Sequence, residues 1–357
     1  MILSSYTQDC IFASYLMKKV LRVLFALILL AAVVVGIIGY SYIYKDNLIN
    51  TEDGKHSIYV KKGWSYDSLT TELFPYLIDF KSFDLLARKM NLPNKVIPGL
   101  YELPDSFGNR KLIQYLRSGQ TTDVKVVLNG SLKRSQILPK ISENLAIDST
   151  DLETLMTNKS FLDSIGYNQE NWPCLFVANT YFFNWASDAE TVINRFINEH
   201  KRFWNEARRN KAARIDLTPN EVIILASIVD AETMKSDELP KIAGVYLNRL
   251  QQDWPLGADP TIRYLIGEEG RQRVLYADLE IESPYNTYKN LGLPPGPVLL
   301  PSAKAIDAVL NASNTEYMYF CAKADFSGYH AFAKTNAQHE RNRRAYTQEL
   351  NRRGIMR

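Results

Sequence analysis

Residues 218–233 read TPNEVIILASIVDAET and contain the strongest structural signal in the chain. Thr218 is a favoured N-cap residue, Pro219 suits the first helical position, and Glu221 completes a capping box. Residues 222–229 are apolar except for one serine, which predicts a helix that is buried on all sides. We therefore expect a central helix that begins at Pro219 and leads to acidic residues at its C-terminal end.

Asp230 and Glu232 stand at the end of this segment, where an ionised carboxylate is costly. Desolvation and the partial negative charge of a helix C-terminus both raise the pKa of a carboxyl. A carboxyl that stays protonated near neutral pH can act as a general acid. Because two residues at this spacing lie about 200° apart around a helix, we expect that they do not both line one pocket. The alternative is that both are solvated residues in the loop after the helix.

A second helix is predicted from about residue 238 to 251, with apolar side chains that can pack on the first. Loops rich in glycine, proline, tyrosine and amide side chains follow at 256–261, 283–288 and 292–297. Tyrosine rings can pack on the apolar faces of sugar rings, while amides and hydroxyls bind sugar hydroxyls. These loops are typical of a sugar groove, although ordinary turn chemistry also favours such residues.

An apolar run near the N-terminus is long enough to cross a bilayer. Residues 23–38 are uninterrupted apolar residues, glycine included, and the extension to Tyr44 exceeds the roughly 20 residues that a span needs. Lys18, Lys19 and Arg22 precede this run, which places the N-terminus in the cytoplasm and the bulk of the chain outside. We predict a cytoplasmic segment, 1–19, and a single-pass anchor in the inner (plasma) membrane, 20–44. A cleaved signal peptide is the alternative.

Composition and charge exclude several classes of function. The 357 residues have a formal net charge of only +3, so the basic excess typical of nucleic-acid binding is missing. Cys10, Cys174 and Cys321 are far apart and form neither a zinc spacing nor a disulfide framework. The four histidines form no zinc-protease motif. We therefore expect no metal, no other cofactor and no nucleic-acid partner.

The remaining pattern predicts an α+β chain with two parts outside the membrane. Residues 45–120 read as a small α+β unit, in which strands near 57–60 and 100–103 flank helical segments. Residues 121–357 form the larger α+β domain. Within it, the apolar periodicity predicts one long helix over 188–211.

Six short motifs follow one another over about 110 residues. They read Ala226-Ser227-Ile228-Val229-x-x-Glu232-Thr233, Val245-Tyr246-Leu247-Asn248-Arg249-Leu250, Asp259-Pro260-Thr261, Ser283-Pro284-Tyr285-Asn286-Thr287-Tyr288, Gly292-Leu293-Pro294-Pro295-Gly296-Pro297 and Gly328-x-His330-x-Phe332. This order resembles the YceG-like endolytic murein transglycosylases, and the resemblance extends from about residue 17 to 340. It implies a membrane anchor, a LysM-like unit at 45–120 and an extracytoplasmic catalytic domain at 121–357.

The resemblance implies activity on the glycan strands of peptidoglycan. The enzyme would cleave the bond between N-acetylmuramic acid and N-acetylglucosamine inside a strand. The muramic 6-hydroxyl would attack its own anomeric carbon and leave a 1,6-anhydro end. One carboxyl can serve as acid and then as base in such a reaction, whereas the usual glycosidase needs two. A role in cell-wall synthesis or remodelling follows, at the inner membrane, with peptidoglycan synthases as candidate partners.

The catalytic glutamate of the family falls in the segment 228–233, and we assign it to Glu232. The candidate substrate-binding residues lie in the motifs that follow, and they are Asn248, Asp259, Thr261, Tyr285, Asn286 and Thr287.

Gly257 and Ala258 depart from the family pattern, which usually has glutamine and a serine or threonine before the aspartate of the D-P-T motif. Loss of these polar groups could weaken substrate contacts near Asp259. Two alternatives therefore stay open. One is a non-catalytic glycan-binding scaffold of the cell-wall machinery. The other is a hydrolytic muramidase that uses Glu232 with Asp259 as base and leaves reducing ends without anhydro sugar.

Overall fold

A computed structural model describes residues 3–49, 56–104, 106–267 and 274–355, with the backbone alone for residues 3–16. Residues 50–55 of the predicted small unit thus lie outside the described residues. The helices are α1 (Leu3–Tyr44), α2 (Tyr66–Leu73), α3 (Phe80–Lys89), α4 (Asn109–Ser118), α5 (Arg134–Ser142), α6 (Ser149–Thr157), α7 (Lys159–Ser164), α8 (Ala189–Phe203), α9 (Glu206–Arg214), α10 (Pro219–Glu232), α11 (Leu239–Gln251), α12 (Asp259–Ile266), α13 (Ala303–Leu310) and α14 (Asn336–Arg352). The strands are β1 (His56–Val60), β2 (Gly99–Leu103), β3 (Asp123–Leu128), β4 (Asn179–Asn184), β5 (Tyr319–Ala322) and β6 (His330–Ala333). The predicted mixed α+β class is confirmed.

The N-terminal helix α1 contains the predicted membrane span. Within its part Met17–Tyr44, the most apolar 18-residue window has a mean hydropathy of 2.9 and is not buried against the rest of the described chain. Uncovered apolar surface on a helix of this length is typical of a transmembrane segment. Insertion of α1 into a membrane, and its orientation there, stay predictions.

The chain divides into two compact units. Unit 1 comprises the residues up to Thr122 together with Asn184–Ala186. Its strands β1 and β2 pair antiparallel, with Ile58 opposite Tyr101, and α2 and α3 lie between them in sequence. The side chains of these elements and of α4 share one apolar core, so this small unit has its own hydrophobic interior.

Unit 2 comprises Asp123–Phe183 and the residues from Ser187 onward. The helix α10 lies at its centre, in contact with α11, α12 and α13. Every residue from 222 to 229 is buried, as the apolar sequence predicts. At the start of α10, Thr218 Oγ1 accepts a hydrogen bond from the backbone N–H of Glu221, whose carboxylate accepts one from Thr218, which confirms the predicted capping box.

The prediction of one long helix over 188–211 is wrong. The structure has α8 and α9 instead, with a break at Trp204 and Asn205. The Asn205 side chain accepts a hydrogen bond from the backbone N–H of Arg208 and so begins a new helix. Trp204 leaves helical geometry while its indole stays in the core. The large apolar residues of this segment end at Trp204, and α9 buries only Ala212, so the apolar pattern gives no support for a helix beyond the break.

Candidate active site

The carboxyl groups at the end of α10 belong to the helix and not to the loop after it. The helix continues through Glu232, and Thr233 then takes an extended conformation. The Thr233 hydroxyl accepts a hydrogen bond from the backbone N–H of Lys235 and stabilises this exit. The alternative of solvated loop residues is therefore wrong, since both Asp230 and Glu232 are half-buried in the last helical turn.

A cleft of about 1550 Å³ lies across this end of α10. Its walls come from the loop before α5, from α5 and α6, from the end of α10 and from α12. Both Asp230 and Glu232 line it, so the expectation that they do not share a pocket is wrong. The reason is geometric: the cleft is wide and meets the end of the helix rather than one side, so residues on both faces of the last turn reach it.

Glu232 is placed for proton transfer. Tyr246, on α11, donates its phenolic hydrogen bond to Oε1 of Glu232 at 2.5 Å. Burial raises the pKa of Glu232 to about 7, and the negative charge of Asp259 also raises it, while the bond from Tyr246 and the charges of two arginines lower it. A carboxyl that titrates near neutral pH can both donate and accept a proton at that pH.

Asp230 has a different environment in the same cleft. Its carboxylate accepts hydrogen bonds from the backbone N–H of Ser302 at 2.7 Å and from the Ser302 hydroxyl at 3.1 Å. The same hydroxyl accepts from the backbone N–H of Ala305 and caps α13. Asp230 therefore fixes the start of a neighbouring helix through both of its carboxylate oxygens.

The D-P-T and Y-N-T motifs interlock through Thr287. Its hydroxyl accepts a hydrogen bond from the backbone N–H of Ala258 and contacts the Thr261 hydroxyl at 2.9 Å, while its carbonyl accepts from Gly257. Gly257 has a φ of +53°, in the left-handed region that favours glycine. Thr261, Thr287 and Ala258 are fully buried, so this contact sets the position of the loop that leads into α12.

Asp259, the first residue of α12, is exposed beside the cleft. Tyr288 donates a hydrogen bond to its Oδ1 at 2.5 Å. Burial is the largest cause of the raised pKa of Tyr288, so this phenol stays protonated and keeps donating. A negative charge is favoured at a helix N-terminus, which suits a carboxylate at this position.

The side chains of Asn248, Asn286 and Tyr285, which were also predicted as site residues, contact other groups of the protein. Asn248 donates to the carbonyls of Thr315 and Tyr317, and buried Asn286 donates to two carbonyls of the preceding loop. The Tyr285 ring packs against the Tyr264 ring, with centroids 4.7 Å apart and the ring planes tilted by 31°. Among the described residues that line the cleft, the predicted set contributes Glu232 alone. Direct substrate contact by the other predicted residues stays a prediction.

The sequence did not reveal the role of Tyr246, which stands in the second predicted helix and in one of the six motifs. A signal was present, because a tyrosine on a fully buried helix face needs a partner for its hydroxyl, and Glu232 is the acidic residue at the end of the adjoining helix. It also missed Tyr288 as the partner of Asp259, and Arg263, which lines the cleft and whose charge lowers the pKa of Glu232.

Comparisons with known proteins identify relatives of this chain. The YceG-like family matches residues 58–345. A Bacillus subtilis (strain 168) protein named endolytic murein transglycosylase is 30% identical over 271 residues, which cover 71% of this chain and 74% of the relative. A Streptococcus pneumoniae (strain ATCC BAA-255 / R6) protein of the same name is 28% identical and covers 68% of this chain. The match covers 49% of that relative, so this chain spans about half its length.

A solved structure shares the fold. The crystal structure of a protein described as yceG-like, from Listeria monocytogenes, superposes with a TM-score of 0.54 at 24% identity, over 81% of this chain and 99% of that chain. Because the family match covers most of the sequence, including all six motifs, the chain belongs to the YceG-like family.

Proposed function

We propose that this chain is a membrane-anchored endolytic peptidoglycan lytic transglycosylase in which Glu232 is the single acid–base group. The observation that carries the proposal is the position of Glu232, in a wide cleft, with a pKa raised to about 7. The relatives named endolytic murein transglycosylase support the choice of glycan strands as substrate.

The reaction uses the two protonation states of Glu232 in turn. The protonated carboxyl donates its proton to the N-acetylglucosamine oxygen as the bond from that oxygen to the muramic anomeric carbon breaks. The resulting carboxylate then accepts the proton of the muramic 6-hydroxyl as that oxygen bonds to the same carbon. No water is consumed, the 1,6-anhydro ring closes, and Glu232 ends protonated as it began.

Three neighbouring residues set the orientation and the pKa of the Glu232 carboxyl. Tyr246 fixes Oε1, so the other oxygen is directed to the substrate. Asp259 contributes a negative charge that disfavours ionisation of Glu232 before substrate binds. Arg263 lowers the pKa by attraction and keeps it near neutrality, where the group can act in both directions.

The remaining predicted residues act in this proposal by holding segments of unit 2 in place. Thr261 and Thr287 lock the loop before α12, Asn286 holds the loop before itself, and Asn248 holds the segment that leads into β5. Gly257 and Ala258 are absent from the described cleft lining, and Ala258 is fully buried. Their departure from the family pattern therefore argues little for the scaffold alternative.

The anchor and the small unit complete the proposal. We assign α1 as a single-pass anchor with a cytoplasmic N-terminus, which leaves unit 2 on the extracytoplasmic side near newly made glycan and peptidoglycan synthases. The order β1-α2-α3-β2 with antiparallel pairing supports a LysM-like unit. A reporter that is active only outside the cytoplasm, fused after Arg357, should be active in cells, and the protein should sediment with membranes.

Digestion of purified sacculi by the full-length protein tests the activity. We expect glycan fragments that end in 1,6-anhydro-muramic acid, identified by their mass, which is one water lower than that of a reducing end. Reducing ends alone would favour the muramidase alternative, for which the exposed Asp259 is the candidate base. Binding to sacculi without any cleavage would favour the scaffold.

A further inference from the structure

Within unit 1, a buried polar cluster joins the end of α1 to the helices α3 and α4. The Asn109 side-chain amide donates to the carbonyl of Tyr42, in the last turn of α1, at 2.8 Å, and to the Ser82 hydroxyl at 2.9 Å. Asn47 donates to Asn109 and to the carbonyl of Asp79. Because Asn47 and Asn109 are almost fully buried, these bonds fix the first turns of α3 and α4 directly against the last turn of α1.

Close backbone packing supports the same joint. A Cβ atom on Gly108 would lie 2.5 Å from the carbonyl oxygen of Tyr44, so the loop before α4 touches the helix end as only glycine allows. The part of unit 1 outside the predicted span therefore packs directly on the last turn of α1. The depth of the nearest residues of unit 1 is set by where α1 leaves the membrane.

Exposed apolar side chains lie at this joint. Ile78 is 65% exposed and Phe74 is 60% exposed, and Ile49 is also exposed. The backbone N–H of Ile78 donates to the carbonyl of Asn47, and that of Ile49 donates to Tyr76. The Phe74 ring contacts Phe80 with centroids 5.5 Å apart. We call Ile49, Phe74 and Ile78 the joint patch.

The joint patch lies within reach of the lipid headgroups. Asn47 follows the end of α1 by three residues, which span at most about 10 Å, and Ile78 pairs with it directly. The headgroup region on each side of a bilayer is about 5–8 Å thick. Tyr42 and Tyr44 are exposed on α1 at the same level, as is typical of residues at a membrane interface. Lys81, exposed in the first turn of α3, adds a positive charge that suits anionic headgroups.

We propose that the joint patch inserts into the headgroup region of the extracytoplasmic leaflet, beside α1, and holds unit 1 against the membrane surface. This inference rests on the proposed anchoring of the chain by α1. We choose the lipid surface as the binding partner of the joint patch because the patch is continuous with the end of the span. It also combines apolar side chains with a lysine, and it is held close to the helix end by the buried polar cluster.

Fluorescence quenching in proteoliposomes tests the proposal with the full-length protein. The variants carry Cys10→Ser and Cys321→Ser, keep the buried Cys174, and add one labelling cysteine for an environment-sensitive dye. Ile78→Cys probes the joint patch, Tyr42→Cys probes the anchor, and Ser118→Cys is the control, since Ser118 is exposed at the far end of α4. The vesicles contain phosphatidylcholine and phosphatidylglycerol, with or without a headgroup-linked nitroxide.

We expect the nitroxide lipid to quench the dye at position 78 nearly as strongly as at position 42, and several-fold more than at position 118. Quenching at 42 with none at 78 above the level at 118 would overturn the joint-patch proposal while leaving the anchor intact. No quenching at 42 would instead show that the anchoring itself fails, and the joint-patch proposal would fail with it. A blue shift at 78 that disappears on dilution of the protein in the vesicles, without quenching, would assign the patch to a second copy of the chain and would also overturn the proposal.

Discussion

The Tyr246 hydroxyl, in the middle of α11, donates a hydrogen bond to Oε1 of Glu232, the last residue of the preceding helix α10, at 2.5 Å. The bond favours the ionised carboxyl, while burial and the charge of Asp259 favour the neutral one. The result is a pKa of about 7, between the ordinary value of a glutamate and the high value that burial alone would give. A group with this balance can serve as acid in one half of a reaction and as base in the other.

Removal of the Tyr246 hydroxyl should disturb that balance. In Tyr246→Phe, the carboxyl loses the bond that stabilises its charge, so we expect the pKa of Glu232 to rise and the basic limb of the pH–rate profile to move to higher pH. We also expect a fall in kcat on the order of tenfold, since a charged hydrogen bond is worth about 1.5–3 kcal/mol. Steady-state rates on soluble glycan strands across the pH range measure both effects.

The control for this variant is Tyr317→Phe, which removes a hydroxyl from a tyrosine that packs on Phe332. It should leave the profile in place. A Tyr246→Phe enzyme with lower activity but an unshifted profile would mean that the tyrosine acts by packing alone, and the electrostatic account would be wrong.

The stability of the protein should depend on pH through Glu232. Its folded pKa lies above its ordinary value of 4.5, so the folded state binds this proton more tightly than the unfolded state. The associated stabilisation is fully present below about pH 4.5 and is lost as the pH rises through about 7. We expect Glu232→Gln to gain up to about 3 kcal/mol over the wild type between those limits, because each pKa unit corresponds to about 1.4 kcal/mol.

Denaturant midpoints of detergent-solubilised protein, measured from mildly acidic to mildly basic pH, give this difference. The matched control is Glu153→Gln, which removes an exposed carboxyl from the same cleft. Equal trends in the two variants would contradict the assignment of the effect to Glu232.

The sequence predicts helix boundaries and contacts that neighbouring residues determine. It does not predict those that depend on residues distant in the sequence. The start of α10 was predictable because Thr218, Pro219 and Glu221 form a capping box within four residues. The break between α8 and α9 was not, because the preference of Asn205 for a cap over a helical position is weak enough for tertiary packing to override. The partners of Asp230 and Glu232 depend on Ser302 and Tyr246, which only the tertiary fold brings to the end of α10.

That Asp230 and Glu232 line the same cleft was also not predictable from the sequence. Their separation around the helix axis is a local property, and it does give the two carboxyls different partners. Whether both face one cavity depends on the width of the cleft at the helix end, which α5, α6 and α12 set. The family resemblance supplied the choice of Glu232, which periodicity and spacing alone left open.

Thr287 should matter for both stability and rate. Thr287→Val leaves the buried backbone N–H of Ala258 and the Thr261 hydroxyl without this partner, at a cost of about 1–3 kcal/mol in the free energy of unfolding. The loop that carries Asp259 should loosen, and we expect a lower kcat as well. Thr287→Ser keeps the hydroxyl and should retain most of both properties. Equal damage from the two variants, in unfolding and in glycan cleavage assays, would mean that the methyl group matters as much as the hydroxyl, and damage from Thr287→Ser alone would assign the role to the methyl group.

The variant Asp230→Asn distinguishes the role of Asp230 from that of Glu232. Asparagine keeps one acceptor for Ser302 and replaces the other with a donor, so we expect a loss of about 1 kcal/mol in unfolding free energy with near-normal kcat. Unfolding measurements and single-turnover cleavage report the two quantities separately. A folded Asp230→Asn protein without activity would transfer the acid role to Asp230.

The proposed reaction depends most directly on Glu232, and mass analysis of the products formed by Glu232→Gln tests it. Glutamine has nearly the same shape and can still accept the bond from Tyr246, but it cannot give up or take back the required proton. With the wild type and Asp230→Asn run in parallel on the same sacculi, we predict that Glu232→Gln folds normally and that its yield of 1,6-anhydro ends falls by a factor on the order of 10²–10⁴ or more. A folded Glu232→Gln protein that forms 1,6-anhydro ends at a rate close to the wild type would contradict the account.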